Sequence, residues 1–224
     1  MTKSILTALF SLLFFLKVSA SSNNDTAFVE TSIVLHTPTG DIFGTLTTPK
    51  TFKKIPVALI IAGSGPTDRN GNNEMMKNES LRMLSYSLAN NNIGTLRFDK
   101  RGVAESIGAG KSEEDLRFED NIIDAKGWIE LLKKDKRFSK IVVIGHSEGS
   151  LVGMIAALGL VDGYVSIAGP GESFDKALKK QLANRPQMVK DIVFPIIDSL
   201  SVGKTVTDVN PALNSLFRPV YSLI

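Results

Sequence analysis

The chain contains no cysteine in its 224 residues and only two histidines, His36 and His146. The absence of cysteine excludes a disulfide framework and a lipid anchor on a processed N-terminal cysteine. Two histidines so far apart in the sequence, with no cysteine beside them, do not make a set of metal ligands. The sequence therefore predicts a fold stabilised by packing alone, with no metal and no cofactor.

A large excess of charge of either sign is also missing. The formal net charge is +3, and the lysine and arginine residues are mixed with acidic residues throughout the chain. Because nucleic-acid-binding domains usually carry a clustered basic surface, this pattern argues against a nucleic-acid partner. With 43% hydrophobic residues, the chain is long enough to bury the core of one domain.

Residues 1–20 have the pattern of a secretory signal peptide. Lys3 precedes an apolar run at 5–16, and Val18-Ser19-Ala20 resembles a signal-peptidase cleavage site. A membrane anchor or a buried helix is the alternative, but the run is too short to span a bilayer and Lys17 ends it. We expect cleavage after Ala20, export to the periplasm or the cell exterior, and no membrane attachment after cleavage.

The rest of the chain predicts an α/β fold. Segments 28–35 and 41–47 alternate in polarity around a turn at 37–40, which indicates an antiparallel hairpin. Segment 56–62 is continuously apolar, as in a strand that is buried on both faces of a sheet. Strand and helix patterns then alternate, with helices around 81–88 and 118–132 and strands at 93–98, 140–144 and 164–168. This order predicts a mostly parallel sheet with helices on both faces.

Two helical regions follow the 140–144 strand. The first should bury an apolar face made of Leu151, Met154, Ile155 and Leu158. The second region begins after Gly171, where helical patterns start near Phe174 and Met188 and no further buried strand is recognised. We expect these last helices to lie over the sheet.

The most informative motif is Gly145-His146-Ser147-Glu148-Gly149, which stands between a β-branched run and a helical pattern. This is the Gly-x-Ser-x-Gly nucleophile elbow in a strand-turn-helix context, where the glycines allow a sharp turn that exposes the serine hydroxyl. Ser147 is therefore the candidate nucleophile. Because the side chain before the nucleophile points away from it in such a turn, we interpret His146 as a packed, hydrogen-bonded structural residue.

With this motif and strand order, the chain resembles the α/β-hydrolase fold, and in particular secreted or periplasmic bacterial serine esterases and the serine aminopeptidase and monoglyceride-lipase type. A second motif, at 61–72, resembles the loop that supplies one oxyanion-hole amide in that family. On matching positions the resemblance implies backbone N–H donors at Ser64 and Glu148. A third motif, at 97–106, implies structural roles for Asp99 and Arg101 in tying loops together.

The 61–72 loop also has plainer interpretations. A phosphate-binding turn at 63–66 is disfavoured because the segment lacks both the Gly-Lys-Ser/Thr ending of a P-loop and the spacing of a dinucleotide fingerprint. Asp68 and Arg69, which are adjacent in this loop, could form an ion pair across it.

The resemblance covers about 28–170 and exposes a missing part. In the family, the catalytic acid and histidine follow strands that this sequence does not contain. His36 lies too early for the family's order of Ser, acid and His, although Glu172 could replace the acid. We therefore expect a truncated α/β-hydrolase domain at 21–224, with a core at 28–170, a helical lid region at 171–224, the last strands missing, and the acid and base beyond residue 224.

The resemblance implies a carboxylesterase-type serine hydrolase that cleaves small-molecule esters or amides through an acyl-enzyme on Ser147. Without the histidine, this chain should be inactive or nearly so. Two alternatives stay open from the sequence. One is a non-catalytic fragment or pseudoenzyme that only binds, and the other is an aminopeptidase or lipase of the same fold.

Overall fold

The computed structural model describes residues 27–110, 116–213 and 216–217. The predicted signal peptide at 1–20 lies outside these residues. Across the described ranges, every helix is too short or too polar to cross a lipid bilayer.

The described residues form one six-stranded mixed sheet with helices around it. Its strands follow the order β1-β2-β4-β3-β5-β6, and the pairings among β4, β3, β5 and β6 are all parallel. The strands are β1 (Phe28–Thr37), β2 (Gly40–Pro49), β3 (Ile55–Ile61), β4 (Gly94–Phe98), β5 (Phe138–His146) and β6 (Gly163–Ile167). The helices are α1 (Ser80–Asn90), α2 (Phe118–Lys134), α3 (Glu148–Ala157), α4 (Phe174–Leu182) and α5 (Gln187–Ser201), with short 3₁₀ turns at Ala104–Ala109 and Pro211–Leu213.

The N-terminal hairpin predicted from the sequence is confirmed. β1 pairs with β2 over its whole length, from Phe28 opposite Pro49 to Thr37 opposite Gly40. β2 then joins the parallel strands through an antiparallel pairing with β4. The predicted sheet, mostly parallel with an antiparallel hairpin at one edge, is therefore present.

The central strand β3 shows why its sequence is continuously apolar. Val57 and Leu59 face the cluster built on α2 and α3, whereas Ala58 and Ile60 face the cluster beneath α1. Helices thus cover both faces, so the side chains at 57–61 alternate between two cores. The larger core contains Trp128, whose side chain is fully buried.

The predicted buried face of α3 is wrong. Leu151, Met154, Ile155 and Leu158 are all exposed, with Leu158 84% exposed. The helix instead buries its small side, made of Gly149, Ser150, Val152, Gly153, Ala156 and Ala157. Small side chains let the helix backbone lie close to the strands, which turns the large apolar residues outward.

The two predicted helices after residue 171 are present as α4 and α5. They meet around a small core of Leu178, Val193 and Ile197, which is joined by partly buried neighbours from the same region of the chain. This cluster is separate from the two clusters on the sheet. The assignment of 171–224 as a lid remains a prediction.

Strand β6 forms an apolar sheet edge. It pairs with β5 and with no other described strand. Val165 is 45% exposed on this strand, and Ile167 is exposed as well. Because an exposed edge strand offers unpaired backbone groups to other chains, such edges favour association.

We predict that the purified chain self-associates and that Val165→Lys weakens the association, since a lysine on an edge strand opposes strand pairing. Sedimentation velocity over a series of protein concentrations measures this effect. Ile123→Lys, which changes an exposed residue of α2, is the matched control and should sediment like the parent chain. A parent chain that stays monomeric throughout, or a Val165→Lys variant that associates equally well, would contradict this assignment.

Candidate active site

Ser147 lies at the sharp turn between β5 and α3. Its φ of 52° and ψ of −121° place a non-glycine residue in a region that L-amino acids avoid, at a cost of order 1–3 kcal/mol. The backbone holds this conformation, because the Ser147 N–H donates to the carbonyl of Ile167 at 2.9 Å and its carbonyl accepts from the Ser150 N–H at 2.9 Å. The turn predicted from the sequence is therefore present.

The two glycines of the motif permit a backbone approach that no other residue allows. A Cβ built on Gly145 would lie 2.2 Å from the carbonyl oxygen of Gly149. A Cβ on Gly149 would lie 2.4 Å from the carbonyl oxygen of Ala62. The N-terminal turn of α3 is thus pressed against the ends of β3 and β5, with hydrogen atoms filling the contact.

A hydrogen-bonded pair behind the elbow was not predicted from the sequence. The Ser150 hydroxyl donates to the carbonyl of Gly145 at 2.7 Å, and the Tyr164 hydroxyl donates to the carbonyl of Ser150 at 2.6 Å. These contacts tie the first turn of α3 to β5 and β6. In the sequence, only the polar residue Ser150, directly after the motif, indicated these contacts.

The 61–72 loop lies beside Ser147, as the family resemblance implies. A Cβ built on Gly63 would be 3.2 Å from the Ser147 Cβ. Ser64 and Ser147 both line an open cleft of about 200 Å³. Its other lining residues are Gly63, Thr67, Gly71, Asn73, Met76, Asn78, Ser80, Leu81 and His146.

The two expected oxyanion donors are available in different ways. Glu148 is the first residue of α3, and the first N–H groups of a helix have no intrahelical acceptor. Ser64 lies in a loop, and among the described residues no backbone carbonyl accepts a hydrogen bond from its N–H. The roles of these two amides remain a prediction from the resemblance.

A lysine that sequence reasoning missed contacts this loop. Lys100 donates from its ammonium group to the carbonyl oxygen of Gly63 at 2.6 Å. Burial raises the pKa of the Glu148 carboxyl, and the positive charge of Lys100 opposes this shift. Lys100 therefore lies within electrostatic reach of both the loop and the start of α3.

Asp99 has the structural role that the resemblance implies. Its carboxylate accepts from the Arg69 N–H at 2.8 Å and from the Arg69 guanidinium at 2.5 Å. Arg69 also pairs with Glu105. The 61–72 loop is thus fastened to the segment after β4.

The suggested pairing of Asp68 with Arg69 is wrong. Asp68 instead accepts from the backbone N–H groups of Asn70 and Asn72, each at 2.8 Å. An aspartate bonds readily to amides two residues further on, which closes a local turn. Arg69 is left to reach Asp99.

Arg101 is structural as well, and it binds away from the cleft. Its guanidinium donates twice to Asp124, at 2.6 and 2.7 Å, and both side chains are buried. It also donates to the hydroxyls of Thr37 and Thr39. This pair joins the hairpin to α2.

Neither histidine is arranged as a base for Ser147. His36 lies on β1, four strand positions from β5, which is about 19 Å at the usual strand spacing. Its Nδ1 lies 2.7 Å from Asp41, and its side chain is 80% exposed. This position agrees with its exclusion as the base.

The interpretation of His146 as a packed, hydrogen-bonded residue is wrong. It is exposed, lines the cleft beside Ser147, and has no side-chain hydrogen bond to any described residue. The turn that buries Gly145 directs the His146 side chain outward.

Glu172, the possible substitute acid, pairs with Lys180 at 2.7 Å.

Within the described ranges, no group of three histidine, aspartate or glutamate side chains is placed to hold a metal ion.

Sequence comparison relates part of the chain to an esterase. No family model matches the chain. It is 32% identical to Esterase EstD of Thermotoga maritima over 144 residues, which make up 62% of this chain and 33% of that protein. The chain thus spans about a third of the length of this relative.

Solved structures extend the likeness to the fold. The Pyrococcus furiosus esterase Pf2001 superimposes with a TM-score of 0.57 at 20% identity, covering 85% of this chain and 68% of that one. An α/β-hydrolase-type protein of Agrobacterium tumefaciens, ATU1826, gives a TM-score of 0.51 at 21% identity, covering 66% and 65%. The chain has the α/β-hydrolase fold.

We predict that Gly149→Ala lowers the free energy of unfolding by about 1–3 kcal/mol or more, the cost of forcing atoms into a packed site. Alanine gains about 1 kcal/mol over glycine in a helix, but a Cβ at 2.4 Å from a backbone oxygen outweighs this gain. Urea unfolding measures the difference. Gly171→Ala, where a Cβ meets no atom within 4 Å, should leave stability nearly unchanged, and equal stability of the two variants would argue against the close approach.

We predict that the free energy of unfolding of Glu148→Gln, measured relative to that of the parent chain, increases as pH rises from 4 to 7. Because burial raises the folded-state pKa of this carboxyl, the folded parent holds the proton that the unfolded chain has already released, and stability falls across that window. Glutamine removes this fall. Urea unfolding at several pH values, with the exposed Glu74→Gln as control, tests the sign, and a constant or shrinking difference would refute it.

Proposed function

We propose that this chain carries the nucleophile and the oxyanion hole of a serine esterase. Ser147 is the nucleophile, and the backbone amides of Ser64 and Glu148 are the oxyanion donors. The observation that carries the proposal is the positive φ of Ser147 at a strand-to-helix turn, beside a cleft that Ser64 also lines. Such a turn presents a serine hydroxyl above the sheet.

The proposed reaction is acyl transfer to Ser147. The serine oxygen bonds to the ester carbonyl carbon, its proton passes to a base, and the carbonyl oxygen becomes an oxyanion held by the two amides. The bond to the alcohol oxygen then breaks, and the alcohol leaves with a proton. Water adds to the acyl-enzyme and releases the acid, which restores the serine.

The relatives support the choice of ester substrates. Both EstD and Pf2001 are named esterases. The cleft here is open and lined by small and polar side chains together with Met76 and Leu81, which suits a small ester. Amide substrates remain within the same chemistry, since the oxyanion is common to both.

The base is the part that these 224 residues do not supply. His36 lies on β1, four strand positions from β5, or about 19 Å at the usual strand spacing, and His146 is exposed with no hydrogen bond to Ser147 found among the described residues. A serine without a base is a weak nucleophile at neutral pH. We therefore propose that the acid and the base belong to sequence beyond residue 224, and that the 224-residue chain binds esters with little or no turnover.

A binding protein without catalysis is the second candidate, and the same missing base favours it. The two candidates differ in whether Ser147 can be made to react. The esterase proposal requires a serine that is correctly placed and lacks only a proton acceptor.

We predict that the 224-residue chain and its Ser147→Ala variant hydrolyse p-nitrophenyl acetate at rates within about twofold of each other, since a nucleophile without its base adds almost nothing to binding and oxyanion stabilisation. Release of p-nitrophenol, followed at 400 nm, measures the rates. His146→Ala is the companion variant. Turnover that both Ser147→Ala and His146→Ala abolish would show that His146 acts as the base and would overturn this account of the chain.

A further inference from the structure

Lys100 is placed to control the loop that faces Ser147. It follows Asp99 directly after the carboxyl end of β4 and is half-buried. Its ammonium group donates to the carbonyl oxygen of Gly63 at 2.6 Å. A bond of this length from a charged donor is among the stronger hydrogen bonds in proteins.

The geometry of the peptide bond turns this contact into a constraint on the next residue. No peptide bond of the described residues is cis. In a trans peptide the carbonyl and the N–H of the same unit point in opposite directions. The carbonyl of Gly63 and the N–H of Ser64 belong to one unit, so a lysine that fixes the first also fixes the direction of the second.

The position of this peptide makes its direction matter. Gly63 lies against Ser147, since a Cβ built on the glycine would be only 3.2 Å from the Cβ of the serine, and Ser64 lines the cleft. Rotation of the Gly63-Ser64 unit would swap an N–H donor for a carbonyl acceptor beside the reacting group. An acceptor there would repel a developing oxyanion.

The charge of Lys100 adds a second effect. A cation bonded to a carbonyl draws electron density from the peptide, which strengthens its N–H as a donor because hydrogen bonds in series polarise one another. Lys100 also acts on the Glu148 carboxyl, the side chain of the residue that carries the other expected donor. One ammonium group thus influences both sides of the expected oxyanion hole.

We propose that Lys100 is a positioning residue of the oxyanion hole, which holds the Gly63-Ser64 peptide so that the Ser64 N–H faces the oxygen bound at Ser147; this inference rests on the proposed function. Lys100 itself does not touch the substrate. Its effect passes through the Gly63 carbonyl to the Ser64 amide.

The Ser64 amide can be observed on its own by NMR. The sequence contains two Gly-Ser pairs, 63–64 and 149–150, so a chain labelled with ¹³C-carbonyl glycine and ¹⁵N-serine gives two amide signals in a carbonyl-selected spectrum. Ser150→Ala removes one signal and assigns both. We expect Lys100→Met to shift the Ser64 signal and to leave the Ser150 signal in place. Lys100→Arg should largely restore the Ser64 signal, and Lys54→Met, which changes an exposed lysine, should leave both unchanged.

Phosphorylation of Ser147 by diethyl p-nitrophenyl phosphate gives the chemical readout. The serine oxygen bonds to phosphorus, p-nitrophenolate leaves, and added imidazole accepts the serine proton. By intact mass, we expect labelling to be about tenfold to hundredfold slower in Lys100→Met, somewhat below the loss of about 10²–10³ for removal of a whole oxyanion donor. Lys100→Arg should recover most of the rate.

The outcomes separate this inference from the proposed function. An unchanged Ser64 signal in Lys100→Met, or a shifted signal with an unchanged labelling rate, overturns the positioning role. A parent chain that does not label at Ser147 overturns the proposed function, and the Ser64 signal then still decides whether Lys100 orients the peptide. If Lys100→Met fails to fold, Lys100→Leu, which likewise removes the donor and its charge, provides the same comparison.

Discussion

The close approach of the first turn of α3 to the ends of β3 and β5 is the contact on which the site depends. Gly145 and Gly149 meet carbonyl oxygens at distances where no side chain fits. This contact leaves the chain no room for a relaxed turn between strand and helix, so Ser147 adopts a positive φ. The strain is offset by the hydrogen bond that the Ser147 N–H donates to the Ile167 carbonyl, by the one that the Ser147 carbonyl accepts from the Ser150 N–H, and by the packing of the helix. The hydroxyl is thereby set at the edge of a cleft, not within the core.

The loops around the serine are held by charged side chains that do not belong to the chemistry. Asp99 fastens the 61–72 loop through Arg69, and Lys100 holds the carbonyl of Gly63. Two adjacent residues of one segment thus fix one loop at two points. A donor that must meet a developing negative charge is most effective when it needs no rearrangement. This arrangement fixes the 61–72 loop without a disulfide, since the chain has no cysteine.

Local sequence patterns predicted much of the fold. The features that they did not predict are determined by tertiary packing. The hairpin, the buried central strand and the elbow were readable because polarity alternation, continuous apolarity and glycine spacing are local signals. The face of α3 was not, because the helix buries Gly149 and Ala156 and exposes Leu158; hydrophobic periodicity assumes that large side chains face inward. The exposure of His146 was not predicted, because it depends on the turn between β5 and α3, which Ile167 and Ser150 hold through hydrogen bonds to Ser147. Lys100 went unnoticed because its partner is a backbone carbonyl from another loop, which leaves no trace in the sequence.

The central proposal is that Ser147 is placed as a nucleophile and that no described residue serves as its base. The most direct measurement is the site and rate of modification by an alkyl fluorophosphonate, followed by tandem mass spectrometry with and without imidazole as an external base. The account predicts one adduct, on Ser147, whose rate of formation rises with imidazole concentration and which Ser147→Ala abolishes. Adducts spread over the exposed serines at equal rates, with no preference for Ser147 in imidazole, would contradict it.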